Sequence, residues 1–421
     1  LRLQYKKDKI IMGQIIAGGE QFETHIEADH RGQILKTGPD SGMFDAFGRQ
    51  RFSQPFTLFE SMMRHAKRTD LWDEQIAGSG SASFITAESS VALATTTASG
   101  DTVLRRSRRY LPYQPGKSLL IMASFVGNEP INGLVQEVGY FDNNNGVILR
   151  ANGTSVQFVI RSLASGSVQE NVINQGQWNI DTFADLDFSV SNIFVVDLEW
   201  LGVGRVRAGF VVDGEIRYCH EFNHANIIDS VYMSSAILPL SYRIHNSTSI
   251  ASSATLKQIC STVISEGGFQ PTGPIYITGR GANNFSAITS ETMVAAIRMV
   301  SGRTDNVIIP AQVDVSLGGN PASNVVAQWR LRLNPTISGV WTAATNGRGN
   351  VETMSSGTFS GGTIIGGGLS ASRSALAFET ESGLALSLGR NIDGTSDVLM
   401  LTIECSSSEN ATGLLGWREL V

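Results

Sequence analysis

Beyond Gly78-Ser79-Gly80-Ser81-Ala82-Ser83 the chain consists of short β-prone runs, each soon interrupted by glycine, asparagine or serine, almost to its end. Such interruption leaves little room for helices, because a helix needs roughly 8–20 residues of sustained 3.6-residue periodicity, whereas strands need only a few residues between turns. Two turns stand out. Residues 147–151 and 155–161 flank Asn152-Gly153, and residues 205–212 and 215–222 flank Asp213-Gly214. Both dipeptides accept positive φ, so each pair of runs reads as a β-hairpin. The second hairpin is expected to set Val211 opposite Ile216 and Arg207 opposite His220. Residues 117–125 read as a buried strand.

At 421 residues the chain is long for one core. Its texture divides it into an extended N-terminal docking or assembly segment with a short helix (1–115), a sandwich (116–267) and a second, C-terminal β-sandwich (268–421). The last boundary rests on the cluster of glycine and proline around residues 265–274. Candidate strands beyond it are residues 292–300, 306–316, 324–333, 376–380 and 398–404. The short helix is placed on Leu58/Met62 and Phe59/Met63, pairs at helical spacing after Pro55. In the same segment Phe44, Phe47, Arg49, Arg51, Phe56 and Phe59 are candidates for docking onto a neighbour.

Charged residues make up only 17% of the chain, against about 25% in a typical globular protein, which suits β structure and assembly surfaces. The net charge of −6 provides no field for holding a polyanion, so nucleic acid is not an expected partner. The three cysteines are too few and too widely spaced for a disulfide framework. No apolar run reaches the about 18 residues of a membrane span, and the first residues lack the apolar core of a signal segment, so synthesis in a cytoplasm is expected.

In Phe194-Val195-Val196-Asp197-Leu198-Glu199-Trp200 the strand period places Phe194, Val196, Leu198 and Trp200 on a core face and leaves Val195, Asp197 and Glu199 on the opposite one. Spaced carboxylates of this kind resemble the catalytic strand of laminarinase-type glycoside hydrolases. The position of that family's nucleophile is Val195 here, and pairing with Arg205, Arg207 or a neighbouring strand's polar groups is the expected fate of both acids. His220-Glu221-Phe222-Asn223-His224 spells a zinc-protease pattern, but on a strand the two imidazoles stand roughly 13 Å apart, so no metal and no cofactor is expected. The basic run Arg105-Arg106-Ser107-Arg108-Arg109 reads as ion-paired or as a subunit contact. Neither a phosphate-binding loop nor a Gly-x-Ser-x-Gly nucleophile turn occurs.

Several long stretches carry a family likeness. They are Asp45-Ala46-Phe47-Gly48-Arg49, Pro55-Phe56-Thr57-Leu58-Phe59, Tyr113-Gln114-Pro115-Gly116-Lys117-Ser118, Val138-Gly139-Tyr140-Phe141-Asp142, the run from Asp197 through Glu199, Trp200 and Arg205 to Arg207, Tyr218-Cys219-His220-Glu221-Phe222, and Ile259-Cys260-Ser261-Thr262-Val263-Ile264-Ser265-Glu266-Gly267. Together they resemble a recurrent family of tailed-bacteriophage virion structural proteins with a concanavalin-like jelly-roll domain. The resemblance implies a surface-exposed fibre or decoration of the virion, made in the host cytoplasm. It also implies a homotrimer or other symmetric oligomer whose partners are copies of itself and other virion proteins, with no membrane partner. An alternative role is glycan binding through the jelly roll, for which Tyr140, Asp142, Asn144, Trp178, Asp197, Glu199, Arg207 and His220 form the candidate contact set. A glycan-degrading enzyme is the weakest reading.

Overall fold

The computed structural model describes residues 54–280, 286–303, 305–317, 325–370, 373–377 and 380–420, together with four short N-terminal strands. The chain divides into two compact units, Leu1–Gln54 and Pro55–Val421. In the first, β1 (Gln4–Lys6) pairs with β2 (Lys9–Ile11), and β3 (Ile15–Ala17) pairs with β4 (Glu20–Phe22). Phe44, Phe47, Arg49 and Arg51 lie outside the described residues.

The second unit holds two β-sandwiches. Its first strands are β5 (Phe56–Met62), β6 (Trp72–Ala77), β7 (Ser81–Ile85), β8 (Ser90–Thr95), β9 (Thr102–Ser107), β10 (Leu119–Val126) and β11 (Leu134–Phe141). They are followed by β12 (Gly146–Asn152), β13 (Ser155–Ser162), β14 (Gln169–Asn174), β15 (Ser191–Leu198), β16 (Val206–Val212), β17 (Glu215–Phe222), β18 (Leu240–Asn246) and β19 (Ala254–Ser265). An eight-stranded antiparallel sheet runs β17-β16-β15-β10-β19-β8-β7, with β5 also paired to β19. A seven-stranded sheet runs β14-β13-β12-β11-β18-β9-β6. Alternation explains how they face each other. In β10, Leu119, Ile121, Ala123 and Phe125 are buried while the residues between them are partly exposed, and Phe194, Val196 and Leu198 of β15 are fully buried as their spacing requires. The facing side chains form one continuous apolar core in this jelly-roll sandwich.

The jelly roll begins at residue 56, not 116, because β5 to β9 supply strands to both of its sheets. No helix forms over Leu58–Met63. Phe59 pairs with Val263 and Thr57 with Ile264, which leaves Leu58 as an extra, bulged residue and turns both Leu58 and Phe59 into the core. A bulge shifts the two-residue period by one, and here the shifted pattern imitates helical spacing.

Both hairpins form. Asp213 and Gly214 take φ of 52° and 80° between the paired Val212 and Glu215, the geometry of a type I′ turn. The other turn is displaced by one residue: Asn152 pairs with Ser155, and Gly153, at φ 58°, leads a Gly153-Thr154 turn. Val211 faces Ile216 as expected, but Arg207 faces Glu221 rather than His220. Cys219 is the cause, since Gly209 pairs with Tyr218 and Ala208 with His220, so Cys219 bulges between them. Gly209 permits this: a Cβ there would stand 2.1 Å from the Arg217 carbonyl oxygen.

The C-terminal sandwich has a five-stranded sheet containing Tyr276–Gly279, Ser286–Ile288, Glu409–Leu420, Val307–Leu317 and Arg373–Ala377. Its six-stranded partner runs Thr342–Ala343, Val351–Met354, Thr292–Met299, Val398–Cys405, Ala327–Leu333, Thr363–Ser370. It has its own core around Trp329, Leu401 and Trp417, yet Val307, Ile309 and Leu384 join the jelly-roll core. The sandwiches are thus packed as one unit. Among the described residues no helix is long and apolar enough to cross a membrane.

Gly209→Ala should lower stability by about 1–3 kcal/mol because its methyl group meets backbone rather than a movable side chain. Gly176→Ala, where nothing lies within 4 Å, is the control. Urea midpoints of the two variants, compared with wild type, test the bulge.

Candidate functional site

The eight residues proposed for glycan contact do not converge. Tyr140 points into the core, where its hydroxyl donates to the Ala236 carbonyl (2.9 Å) and accepts the Leu238 N–H (3.1 Å). Asp142 is a turn cap: its Oδ1 accepts the N–H groups of Asn144 and Asn145 (2.8 Å each), and its other oxygen accepts the Tyr110 hydroxyl (3.2 Å). Asn144 is exposed at the tip of that turn. Trp178 lies buried on Phe158, with ring centroids 4.1 Å apart and planes at 17°. His220 is also buried, its Nδ1 accepting the Asn179 N–H (3.1 Å) and its ring edge-on to Phe222. Of the docking candidates that are described, Phe59 belongs to the core and Phe56 packs against it.

Asp197 and Arg207 do meet, on the outer face of the eight-stranded sheet, as a direct cross-strand pair of β15 and β16. Asp197 also accepts the Tyr218 hydroxyl (3.2 Å), and the Arg207 guanidinium stacks 4.2 Å from the Tyr218 ring centre. Burial, followed by the Asp197 charge, pushes the Tyr218 phenol up to about 12. Glu199 does not share this cluster. It falls beyond the end of β15, where its N–H donates to the Arg205 carbonyl, and its side chain is exposed.

The zinc-protease pattern resolves into two unrelated imidazoles. Whereas Nδ1 of His220 accepts a backbone N–H, Nδ1 of His224 lies 2.7 Å from the Gly204 carbonyl oxygen and must donate to it. Burial lowers the pKa of both. Among the described residues no group of histidine, cysteine and carboxylate side chains is arranged to hold a metal ion.

A dense charge cluster lies apart from all eight candidates, on the outer face of the seven-stranded sheet. Glu137, only 1% exposed, accepts Arg150 Nε at 2.8 Å, Arg243 at 3.1 Å and Arg161 at 3.4 Å. Arg150 then forks onto both oxygens of Glu170 (2.7 Å each), and Arg161 Nε adds a bond of 3.0 Å. Register generates this lattice, since Glu137 stands opposite Arg150 and Arg243, and Arg161 opposite Glu170. The Arg150 and Arg161 hydrogen bonds and charges hold the Glu170 carboxyl at about 2. The turns joining β11 to β12 and β13 to β14 set two of these pairings, and β18 brings the third from far along the chain.

Glu170 also borders an open groove of about 890 Å³ at the lateral edge of the jelly roll. One wall is β14 with Gln169 and Asn171, and the other is the 224–232 loop with His224, Asn226, Asp229 and Tyr232. His224 stacks on Tyr232 at 4.1 Å with planes only 8° apart, and the Tyr232 hydroxyl donates to the Glu199 carbonyl (3.1 Å), which braces the wall. With Nδ1 committed to Gly204, a neutral His224 retains Nε2 as an acceptor. The groove is therefore equipped with amides, the serines Ser162 and Ser230, the carboxylates Glu170 and Asp229, an imidazole and aliphatic surface at Ile160.

No family model matches this chain, and no curated protein is similar to it. Solved structures are similar over about half of it. A Bacillus licheniformis β-glucanase is 14% identical over 49% of this chain and 96% of its own, with a TM-score of 0.32. Peanut lectin is 11% identical over 51% of this chain and 98% of its own, with a TM-score of 0.32. The receptor-binding domain of botulinum neurotoxin D is 7% identical over 57% of this chain and 62% of its own, with a TM-score of 0.33.

Two variants separate architecture from site. Trp178→Ala should cost about 3–5 kcal/mol of stability in urea titrations, as removal of a buried aromatic does. Glu170 has its carboxyl pKa lowered on folding, so the stability it confers is present above the ordinary carboxylate range and fades as pH falls from about 4.5 towards about 2. Glu170→Gln should flatten that part of the acid-unfolding curve, and an unchanged curve would remove the lattice from the account of acid stability.

Proposed function

We propose that the protein is a non-catalytic structural component of a tailed-phage particle, displayed at the surface as a fibre or decoration and assembling as a symmetric oligomer. Residues 45–267 support the reading through their likeness to virion proteins with a jelly-roll domain. The observation that carries it is the union of two β-sandwiches in one compact unit: Val307 and Ile309 enter the jelly-roll core, and Arg108 pairs with Asp397 across the junction. Such a body is suited to bearing load or spacing a surface. The carboxylates on the jelly-roll faces argue against hydrolysis. Glu137, Glu170 and Asp197 are each bound by arginine, whereas a retaining glycosidase needs two working carboxyl groups about 5–5.5 Å apart.

Glycan binding by the jelly roll is a second reading, favoured by the groove between β14 and the 224–232 loop. Its amide, serine, imidazole and carboxylate groups beside aliphatic surface are of the kinds that a polyhydroxylated ligand requires.

Antibody against residues 269–421, applied to purified particles and imaged by electron microscopy, tests the first reading. Label spread over the capsid or gathered at the tail supports it and assigns the position, and particles without label overturn it. For the second, Asn171→Ala and Asp229→Ala should reduce retention on a glycan array severalfold with unchanged unfolding midpoints, and retention equal to wild type in both would dismiss the groove.

A further inference from the structure

The groove between β14 and the 224–232 loop differs from the sheet faces in how its charges are paired. On the faces, Glu137 and Asp197 are held by arginine. Of the two carboxylates that line the groove, Glu170 belongs to the same lattice, with both oxygens occupied by Arg150. Asp229, on the opposite wall, is exposed, and among the described residues its carboxylate has neither an ion pair nor a hydrogen bond. Neither lysine nor arginine lines the groove.

A second group on the same wall also lacks a partner. His224 is only 8% exposed; its Nδ1 donates to the Gly204 carbonyl at 2.7 Å, and its Nε2 has no hydrogen bond among the described residues. Burial disfavours the charged ring, so Nε2 is an acceptor. Stacking on Tyr232 fixes the plane in which that acceptor lies. The Tyr232 hydroxyl itself is committed to the Glu199 carbonyl.

A carboxylate and the free nitrogen of a neutral imidazole only accept hydrogen bonds, so a ligand has to bring the donors. A protonated amine brings donors without an acceptor, and its charge has the sign that Asp229 attracts. An acidic sugar would set its own carboxylate against Asp229 with no guanidinium to receive it. The amides of Gln169, Asn171 and Asn226 remain for ring hydroxyls, and Ile227 and Ile228, exposed beside Asp229, offer apolar surface to the C–H face of a ring.

We infer that this groove selects amino sugars, saccharide units whose protonated amine pairs with Asp229, over acetylated, neutral and acidic units. The inference rests on the glycan-binding reading of the groove and adds to it a selection by charge.

The test is retention of the full chain on an array that presents the same saccharide backbones with a free amine, with that amine acetylated, with a hydroxyl in its place and with a uronic acid. It is read at about pH 6.5, below the range of an ordinary α-amine. Wild type should retain the free-amine form about three- to fivefold more than its acetylated partner, the scale of an exposed ion pair, and added salt should erode the difference. Asp229→Asn should bring the ratio near parity, and Asp229→Lys should turn the preference towards the uronic acid. Both variants should keep the wild-type unfolding midpoint, because Asp229 is exposed. Acetylated, neutral or acidic forms retained by wild type as well as the free amine, or a preference unchanged in Asp229→Asn, would overturn the inference while leaving glycan binding in place. Retention of no saccharide in any form would remove the glycan-binding reading itself, and this inference with it.

Discussion

The structure of the second unit hangs on a line of buried arginines in and just after β9. Strand alternation sends Arg105 inward, where Nε donates to Gln258 of the opposite sheet (2.6 Å) and another nitrogen pairs with Glu74. Arg106 points outward and bonds Ser241 (3.0 Å) and Asn143 (3.1 Å). Past the strand, Arg108 reaches Asp397 and Asn391, and Arg109 donates to the Leu384 carbonyl (2.9 Å), all in the C-terminal sandwich. Burial lowers the pKa of Arg105, Arg106 and Arg109, that of Arg106 to about 10. A buried guanidinium is costly unless its donors are satisfied, and its planar fork of donors suits it to fixing several elements at once. One short segment therefore ties sheet to sheet and sandwich to sandwich, and loss of either link would leave a charge with no solvent to turn to.

This role was partly legible in the sequence. A run of paired arginines reads as ion-paired, and the hairpins, the sandwich class and the C-terminal strands at 292–299, 307–317, 327–333 and 398–405 follow from turn chemistry and period, whereas the strand expected at 376–380 lies at 373–377 with a helix starting at Thr380. What escaped the sequence were the phase errors that bulges introduce. Leu58 in β5 made a strand look helical, and Cys219 in β17 moved Arg207 from His220 to Glu221. A bulge is set by the fit between two strands distant in sequence, and neither strand announces it alone.

The candidate contact residues scatter for a related reason. Aromatics and polar groups in company are what sugars recognise, but alternation in β11 sends Tyr140 inward beside Val138, and Trp178 completes a stack with Phe158. Glu137, one position out of phase with that core face, was passed over. Its importance appears only when β11 is registered against both β12 and β18, which brings arginines to it from either side. Composition identifies which groups can bind a ligand, and strand phase decides which of them face one.

The same device recurs in the C-terminal sandwich, where Arg298 stands directly opposite Glu352 and donates Nε to it at 2.7 Å. Each sandwich thus commits an outward carboxylate to a cross-strand arginine. An acid held in this way is stabilised as an anion and its lone pairs are occupied, so it is poorly placed to deliver a proton or attack a carbon. Neutralised faces also repel neighbouring molecules less than free like charges would. The groove between β14 and the 224–232 loop stands apart, with Asp229 exposed and no arginine among its lining residues. The division follows from charge pairing across registered strands, the constraint that also sets the fold.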